Sequence, residues 1–231
     1  RSIQWGGEGR PESFSSLWDA FVGNKDNGGT GEADPSNQVA GFDARLNLQP
    51  LFDLPASLYA QYVGEDEAGG LPAKSMYLAG VDYSSSLKNM PYQLYAEWVD
   101  TRTNGSAKGI SYNHSIYKDG YYQHGYSLGH ALGGDGQMVS VGGHMRIDPL
   151  NRLNGRVLFA KVSQTERSAL NNAAFPEQDE LAALDVTWTH YLRPDMPLKI
   201  NGWVSDSDLN GNDAGASIGI ELPLDKRLFH Y

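Results

Sequence analysis

Apolar and polar positions alternate along most of this chain with a period of two. Over residues 38–49, Ala40, Phe42, Ala44, Leu46 and Leu48 share one face, while Asp43, Arg45, Asn47 and Gln49 share the other. The plan recurs over residues 58–83. There Leu58, Ala60 and Tyr62 oppose Tyr59, Gln61 and Glu65, and Tyr77, Ala79, Val81 and Tyr83 alternate with Gly80 and Asp82. Period two predicts strands whose two faces meet different surroundings. Between the two segments, the acidic, glycine-rich stretch from Glu65 to Pro72 reads as a connection. Further strands are predicted over residues 92–100, 137–148, 156–164, 180–192, 198–205 and 214–224, and residues 1–5 read as the end of another. One segment has a different period: Phe14, Leu17, Trp18 and Phe21 recur at helical spacing, which predicts a short amphipathic helix over residues 13–22.

The connections divide into two kinds. Tight turns at Pro50, Asn89, Pro149 and Pro194 alternate with longer polar stretches after Trp5, Glu65, Asp100, Thr165 and Ser205. Short turns at one end, long loops at the other and strands of about ten residues predict an all-β, antiparallel transmembrane β-barrel. Roughly ten strands are expected from this pattern. Tyr62, Tyr83, Tyr92, Trp98 and Trp188 stand near strand ends, as the aromatic girdles of such barrels do. The polar set, including Asp43, Arg45, Asp82, Glu97, His144, Arg146, Lys161, Asp185, Lys199 and Glu221, is too charged for a dry core. A soluble barrel or sandwich also alternates, so that reading stays open on pattern alone.

Composition changes the picture in a few places. The 231 residues, enough for one large β domain over residues 1–231, include 27 glycines and 13 tyrosines but no cysteine. Disulfides and thiolate metal sites are therefore excluded. The formal net charge of -10 argues against nucleic acid as a partner. No apolar run reaches the length of a membrane-spanning helix. The chain opens inside an apparent strand, so a processed or partial product is expected. It ends on Tyr231, an aromatic of the kind that barrel-assembly signals carry. Asp206, Asp208, Asn210 and Gly211 match the start of a calcium loop, but Ser217 stands where a bidentate glutamate is needed, so a hairpin connection is the better reading. No phosphate-loop, zinc or nucleophile-elbow pattern is present, and no cofactor is expected.

Four groups of residues carry a resemblance to a known family. They are Gln4-Trp5-Gly6-Gly7-Glu8-Gly9-Arg10; Asn37-Gln38-Val39-Ala40-Gly41-Phe42-Asp43; the run from Gly64 to Pro72 with Leu78-Ala79-Gly80; and Gly120-Tyr121-Tyr122-Gln123-His124-Gly125 with Leu128-Gly129-His130 and Gly133-Gly134-Asp135-Gly136. Spread over most of the chain, they resemble the capsule assembly Wzi family, and the acidic Gly-Glu-Asp-Glu-Ala-Gly loop is the most specific of them. The resemblance implies a non-enzymatic, lectin-like outer-membrane barrel of a Gram-negative bacterium that attaches or organises capsular polysaccharide at the cell surface. Family barrels have about eighteen strands, so the resemblance implies that this chain is the C-terminal part of a larger barrel, with a missing N-terminal part as a possible partner beside surface polysaccharide and outer-membrane lipid.

Sugar recognition needs flat aromatic faces and planar hydrogen-bonding groups. The long connection over residues 101–136 has that composition, with Tyr112, His114, Tyr117, Asp119, Tyr121, Tyr122, Gln123, His124, Tyr126 and Asp135 among glycines. The first loop adds Glu8, Arg10 and Trp18, the last on the predicted helix. The expected carbohydrate-contacting set is Trp18, Glu65, Asp66, Glu67, Tyr117, Tyr121, Tyr122, His124 and Tyr126. The same tyrosines also suit packing of a plug over a barrel mouth. Two other functions stay open at this point: a porin or solute channel, and glycoside hydrolysis by Glu65 and Glu67.

Overall fold

A computed structural model of the chain describes residues 2–6, 11–22, 36–68, 71–103, 108–113, 117–165 and 172–222, without the side chains of residues 65–68 and 71–73. Ten strands form one antiparallel sheet: β1 (Ser2–Trp5), β2 (Ser36–Asn47), β3 (Ala56–Ala68), β4 (Leu71–Leu87), β5 (Met90–Asp100), β8 (Gln137–Arg146), β9 (Asn151–Val162), β10 (Asp179–Arg193), β11 (Met196–Ser207) and β12 (Gly211–Ile220). A separate two-residue pair, β6 (Tyr122–Gln123) and β7 (Tyr126–Ser127), lies in the connection between β5 and β8. The predicted helix is α1 (Phe14–Val22), and α2 (Gln49–Phe52) is a single turn ending at Asp53 in the left-handed region. Each large strand pairs with its sequence neighbours, and β1 and β12 are the outer members of the order. Among the described residues the sheet is open.

The strands run further than their alternation predicted. Glu65 to Ala68 and Leu71 to Pro72 are strand rather than loop. Their backbone continues the β3–β4 ladder, with Asp66 opposite Ala73, Glu67 opposite Pro72 and Ala68 opposite Leu71. Asn151 to Asn154, predicted as turn, opens β9, and the turn shrinks to Asp148–Leu150. There the Asp148 carboxylate accepts the Leu150 N–H (2.8 Å) and the Asn151 N–H (2.9 Å), a side-chain-closed turn. The expected turn over residues 206–213 likewise contracts to residues 208–210. The common cause is that ladder pairing satisfies the backbone and overrides turn-forming residue types. Between β4 and β5, Lys88 and Asn89 both have positive φ (50° and 67°), the two-residue hairpin geometry that matches strand twist.

Register sorts the side chains onto two faces. Leu46, Leu58, Val81, Ala96, Val141, Val157, Leu184, Val204 and Ala214 stand directly opposite one another in a single row across nine strands. Most of this row is exposed, as are Phe42, Leu94, Val139, Phe159 and Ile218 on the same face. The other face carries Asn47, Ser57, Asp82, Tyr95, Gly142, Arg156, Asp185, Trp203 and Gly215 in one row. Arg45 bridges Asp82 at 2.5 Å, and Asn201 donates to Asp185 at 2.8 Å. Lys161 departs from the expected polar set: it sits on the apolar face at the long-loop end, where it pairs with Glu180.

Three aromatic rings on the polar face lie over the glycine directly opposite: Tyr59 over Gly80, Tyr95 over Gly142 and Trp203 over Gly215. A methyl group at Gly80 would stand 2.3 Å from the Tyr59 ring, and that ring holds its hydroxyl 3.1 Å from Glu97. Gly80→Ala is therefore expected to swing Tyr59 aside, break the Tyr59–Glu97 bond and lower stability by about 1–2 kcal/mol. Denaturant titration reads the loss, and Tyr59→Phe should reproduce only its hydrogen-bond part.

Candidate functional site

At the long-loop end, the polar face of the sheet turns apolar. Val99, Ala160 and Val162 are buried there, with Leu78, Met138, Leu158 and Leu181 packed around them. Two connections cover this band. Leu132 from residues 101–136 and Phe175 from the connection before β10 pack on the first cluster; Tyr112, Tyr121, Tyr122 and Ala174 pack with Met76 and Val63 beside it. The long connection is thus a folded cover seated on the sheet.

Buried polar groups hold the cover in place. The Thr101 hydroxyl donates to Gly133 O (2.8 Å) and accepts the Gly136 N–H (2.9 Å). Ser111 Oγ accepts the Asp135 N–H at 2.9 Å, and the Asp135 carboxylate accepts the Thr165 N–H at 2.8 Å. Asn172, 1 % exposed, donates to Leu132 O and Gly134 O and accepts from the N–H groups of Ala174 and Phe175. Burial pushes the Asp135 carboxyl above the ordinary carboxylate range, opposed by the Thr165 N–H bond. Gly120, at φ +64°, cannot carry a side chain, because a Cβ would meet Tyr112 O at 2.4 Å.

The candidate residues fall into three settings. Tyr122 is buried, and its hydroxyl oxygen accepts the Gly134 N–H at 2.9 Å. Tyr117 and Tyr121 are half-buried and reach the N-terminal strand, Tyr117 donating to Gly6 O (3.0 Å) and Tyr121 to Ser2 Oγ. His124 and Tyr126 are exposed. His124 and Gly125 take positive φ (52° and 83°) at the tip of the β6–β7 hairpin, with Gln123 paired to Tyr126, which is 79 % exposed. Trp18 is 56 % exposed on α1 and stacks on Phe21 with centroids 5.8 Å apart. Helix and cover share β1 as a support: Trp5 Nε1 donates to Ser16 Oγ (3.2 Å), and Gln4 Nε2 donates to Gly120 O (3.0 Å). The side chains of Glu65, Asp66 and Glu67 lie outside the described residues, as do Glu8, Arg10, His114 and Tyr231.

The arrangement presents exposed aromatic faces, an imidazole and the Gln123 amide on a rigid base, which suits hydrogen bonding and stacking with a polyhydroxylated ligand. The supporting polar residues Thr101, Ser111 and Asn172 gave no pattern in the sequence. The signal available for them was the run of Gly129, Gly133, Gly134 and Gly136, where the backbone lies too close to its neighbours for a Cβ to enter without something moving.

His130 links the cover to pH. Its backbone N–H donates to Tyr112 Oη at 3.1 Å, and burial pulls its imidazole below the ordinary value of 6.5, with Glu97 opposing. A depressed histidine adds stability that is complete above pH 6.5 and is lost as pH falls from there through its folded value. Protection of the cover amides against hydrogen exchange is expected to fall on acidification below that pH, and His130→Gln should flatten the decline.

Comparison with known proteins adds three findings. A family model described as capsule assembly protein Wzi matches residues 1–217. A Klebsiella pneumoniae relative, named as an uncharacterized 55.8 kDa protein in the cps region, is 43 % identical over 224 residues, which cover 96 % of this chain and 44 % of the relative. A solved structure of Wzi, an outer-membrane protein involved in group 1 capsule assembly in Escherichia coli and described as a carbohydrate-binding β-barrel, superposes with a TM-score of 0.79 at 38 % identity; the match covers 96 % of this chain and 46 % of that one. The chain spans less than half the length of either relative.

Proposed function

Because the chain belongs to the capsule assembly protein Wzi family, we propose that it forms part of an outer-membrane β-barrel that retains capsular polysaccharide at the surface of a Gram-negative cell without catalysing a reaction. The observation that carries this reading is the pairing of a cross-sheet exposed apolar row with an opposite face whose long-loop end is closed by a cover that exposes His124 and Tyr126 at its hairpin tip. On this reading the apolar face meets lipid, the long loops face outward, and strands of a longer protein complete the sheet beyond β1 and β12. The polysaccharide meets the hairpin tip and α1; Tyr117 and Tyr121 border the contact, Tyr122 braces it from beneath, and the acidic β3–β4 tip with Glu65, Asp66 and Glu67 adds hydrogen-bonding carboxylates. A diffusion channel would need an open polar face, and the cover seated on that face weighs against it.

The test is Trp18→Ala combined with Tyr126→Ala in capsulated cells. Loss of two stacking faces should weaken polysaccharide binding about 10- to 100-fold. Capsule should pass from the cell pellet to the medium while the variant stays in the outer membrane at its normal level. Full capsule retention by that variant would place the contact elsewhere.

A further inference from the structure

The long-loop border of the apolar face changes character partway across the sheet. Its row begins with Phe42, Tyr62 and Tyr77, an aromatic border of the kind that marks a lipid–water boundary. At β5 the same row passes to Asp100, Gln137, Lys161 and Glu180. These polar side chains are tied together. Arg102 Nη2 donates to Asp100 Oδ2 at 2.7 Å and Arg102 Nε to Asp100 Oδ1 at 3.0 Å, Gln137 Nε2 donates to Asp100 Oδ2 at 2.9 Å, and Lys161 pairs with Glu180. Asp100 and Lys161 stand two strand spacings apart, about 10 Å.

Behind this charged part of the border the face is grooved. Trp98, Val139, Phe159, Ala182 and Asp206 form the next row, where the small Ala182 leaves a gap beside Phe159, which is 60 % exposed. A hollow of about 410 Å³ runs from Trp98 and Phe159 up to Lys161, Glu180 and Asp208. A second, of about 610 Å³, shares Phe159, Ala182 and Asp206 with it and continues past Leu184, Val204 and Ala214. Together they form one groove with a charged rim and an apolar floor. The groove lies on the face opposite the loop cover, and β9, β10 and β11 have both neighbours in place. Strands added at the sheet edges therefore extend this face sideways and leave the groove open.

We propose that this groove docks a phosphorylated glycolipid of the outer leaflet, with acyl chains along Phe159 and Ala182 and the sugar phosphate headgroup on the rim. Complementarity selects that occupant. Arg102 and Lys161, on the β5–β9 side, suit phosphate. The carboxylates of Asp206 and Asp208, on the β11 side, accept hydroxyl groups, so the order along the rim fits a headgroup that carries both. A phospholipid without a sugar would leave those acceptors unused. That the face meets lipid rests on the function proposed above; the choice of this sector rests on the interrupted aromatic row and the groove.

The test is native mass spectrometry of the whole protein, purified from the outer membrane in detergent, titrated with diphosphoryl lipid A and with phosphatidylglycerol. Wild type should bind lipid A about 10-fold more tightly than phosphatidylglycerol, or better. Arg102→Gln with Lys161→Gln should weaken lipid A binding by about 10-fold or more. Ala182→Phe fills the groove without touching the rim and should have a similar effect, which keeps the proposal readable if the charge variant misfolds. Ala44→Phe, in the same row but behind the aromatic part of the border, should change nothing. Unchanged lipid A affinity in either the rim or the groove variant overturns the proposal. So does equal weakening by Ala44→Phe and Ala182→Phe, because the lipid is then an unspecific shell, and so does equal affinity for the two lipids. A wild-type protein that retains no lipid A overturns it as well. Val141→Arg, tested for folding into lipid vesicles, then reports whether the lipid-facing assignment fails with it or stands alone.

Discussion

Asn172→Ala is expected to unseat the loop cover while the ladder beneath stays paired. The Asn172 amide donates to Leu132 O at 3.3 Å and Gly134 O at 3.0 Å, and its oxygen accepts the Ala174 and Phe175 N–H groups, both at 3.1 Å. One side chain thus joins the connection before β10 to the glycine turn of the long connection. Truncation removes all four of these hydrogen bonds at a position closed to solvent. Each buried group that loses its bond costs about 1–3 kcal/mol, and water entering the cavity restores part of it. A net loss of about 3–5 kcal/mol is expected for the cover. Native-state hydrogen exchange checks this: the amides of Gly133, Gly134 and Phe175 should lose protection at least 100-fold, while those of β10 and β11 change little. Wild-type protection at Gly134 would mean that other contacts hold the cover.

The second large effect separates lipid from water on the apolar face. Val141 lies mid-row, between Ala96 and Val157, and is 54 % exposed. In an aqueous setting, replacing so exposed a residue by arginine changes stability by less than about 0.5 kcal/mol. Facing the middle of a bilayer, the same substitution costs about 2–4 kcal/mol. Val141→Arg is expected to show the larger cost when folding into lipid vesicles is titrated with urea. Gln61→Arg, exposed on the polar face opposite Asp43, should be nearly neutral in the same assay. Equal, small effects of the two substitutions would remove the membrane assignment.

The strand ends show where local reading fails. The stretch from Glu65 to Pro72 combines carboxylates, glycine and proline, residue types that favour turns, yet the backbone of Asp66, Glu67, Ala68, Leu71 and Pro72 extends the β3–β4 ladder. Asn151 to Asn154 carries similar turn chemistry and opens β9. In both cases a neighbouring strand supplies hydrogen-bond partners that no local window contains. The site divides in the same way. The composition of the long connection marked it as aromatic and polar, but not which tyrosines face solvent. Tyr117 meets Gly6 and Tyr121 meets Ser2, pairs more than a hundred positions apart in the chain. The Tyr122 partner, Gly134, is only twelve positions away, but it lies across a fold of the loop that has no periodicity to read.

What the sequence by itself determined is the two-faced sheet. A side-chain period of two is a local property of the extended backbone, so the residues of the apolar row and their polar neighbours could be sorted by counting along most strands. The amphipathic spacing of α1 was legible for the same reason. Counting fails along β9, where both faces are apolar near the long-loop end and Phe159 and Lys161 fall on the lipid-side row. Only the tertiary structure decided how the rows align across nine strands, which face the long connection covers, and that Lys161 stands opposite Glu180. Those facts depend on ladder register and on contacts between distant segments, and no single stretch of chain encodes either.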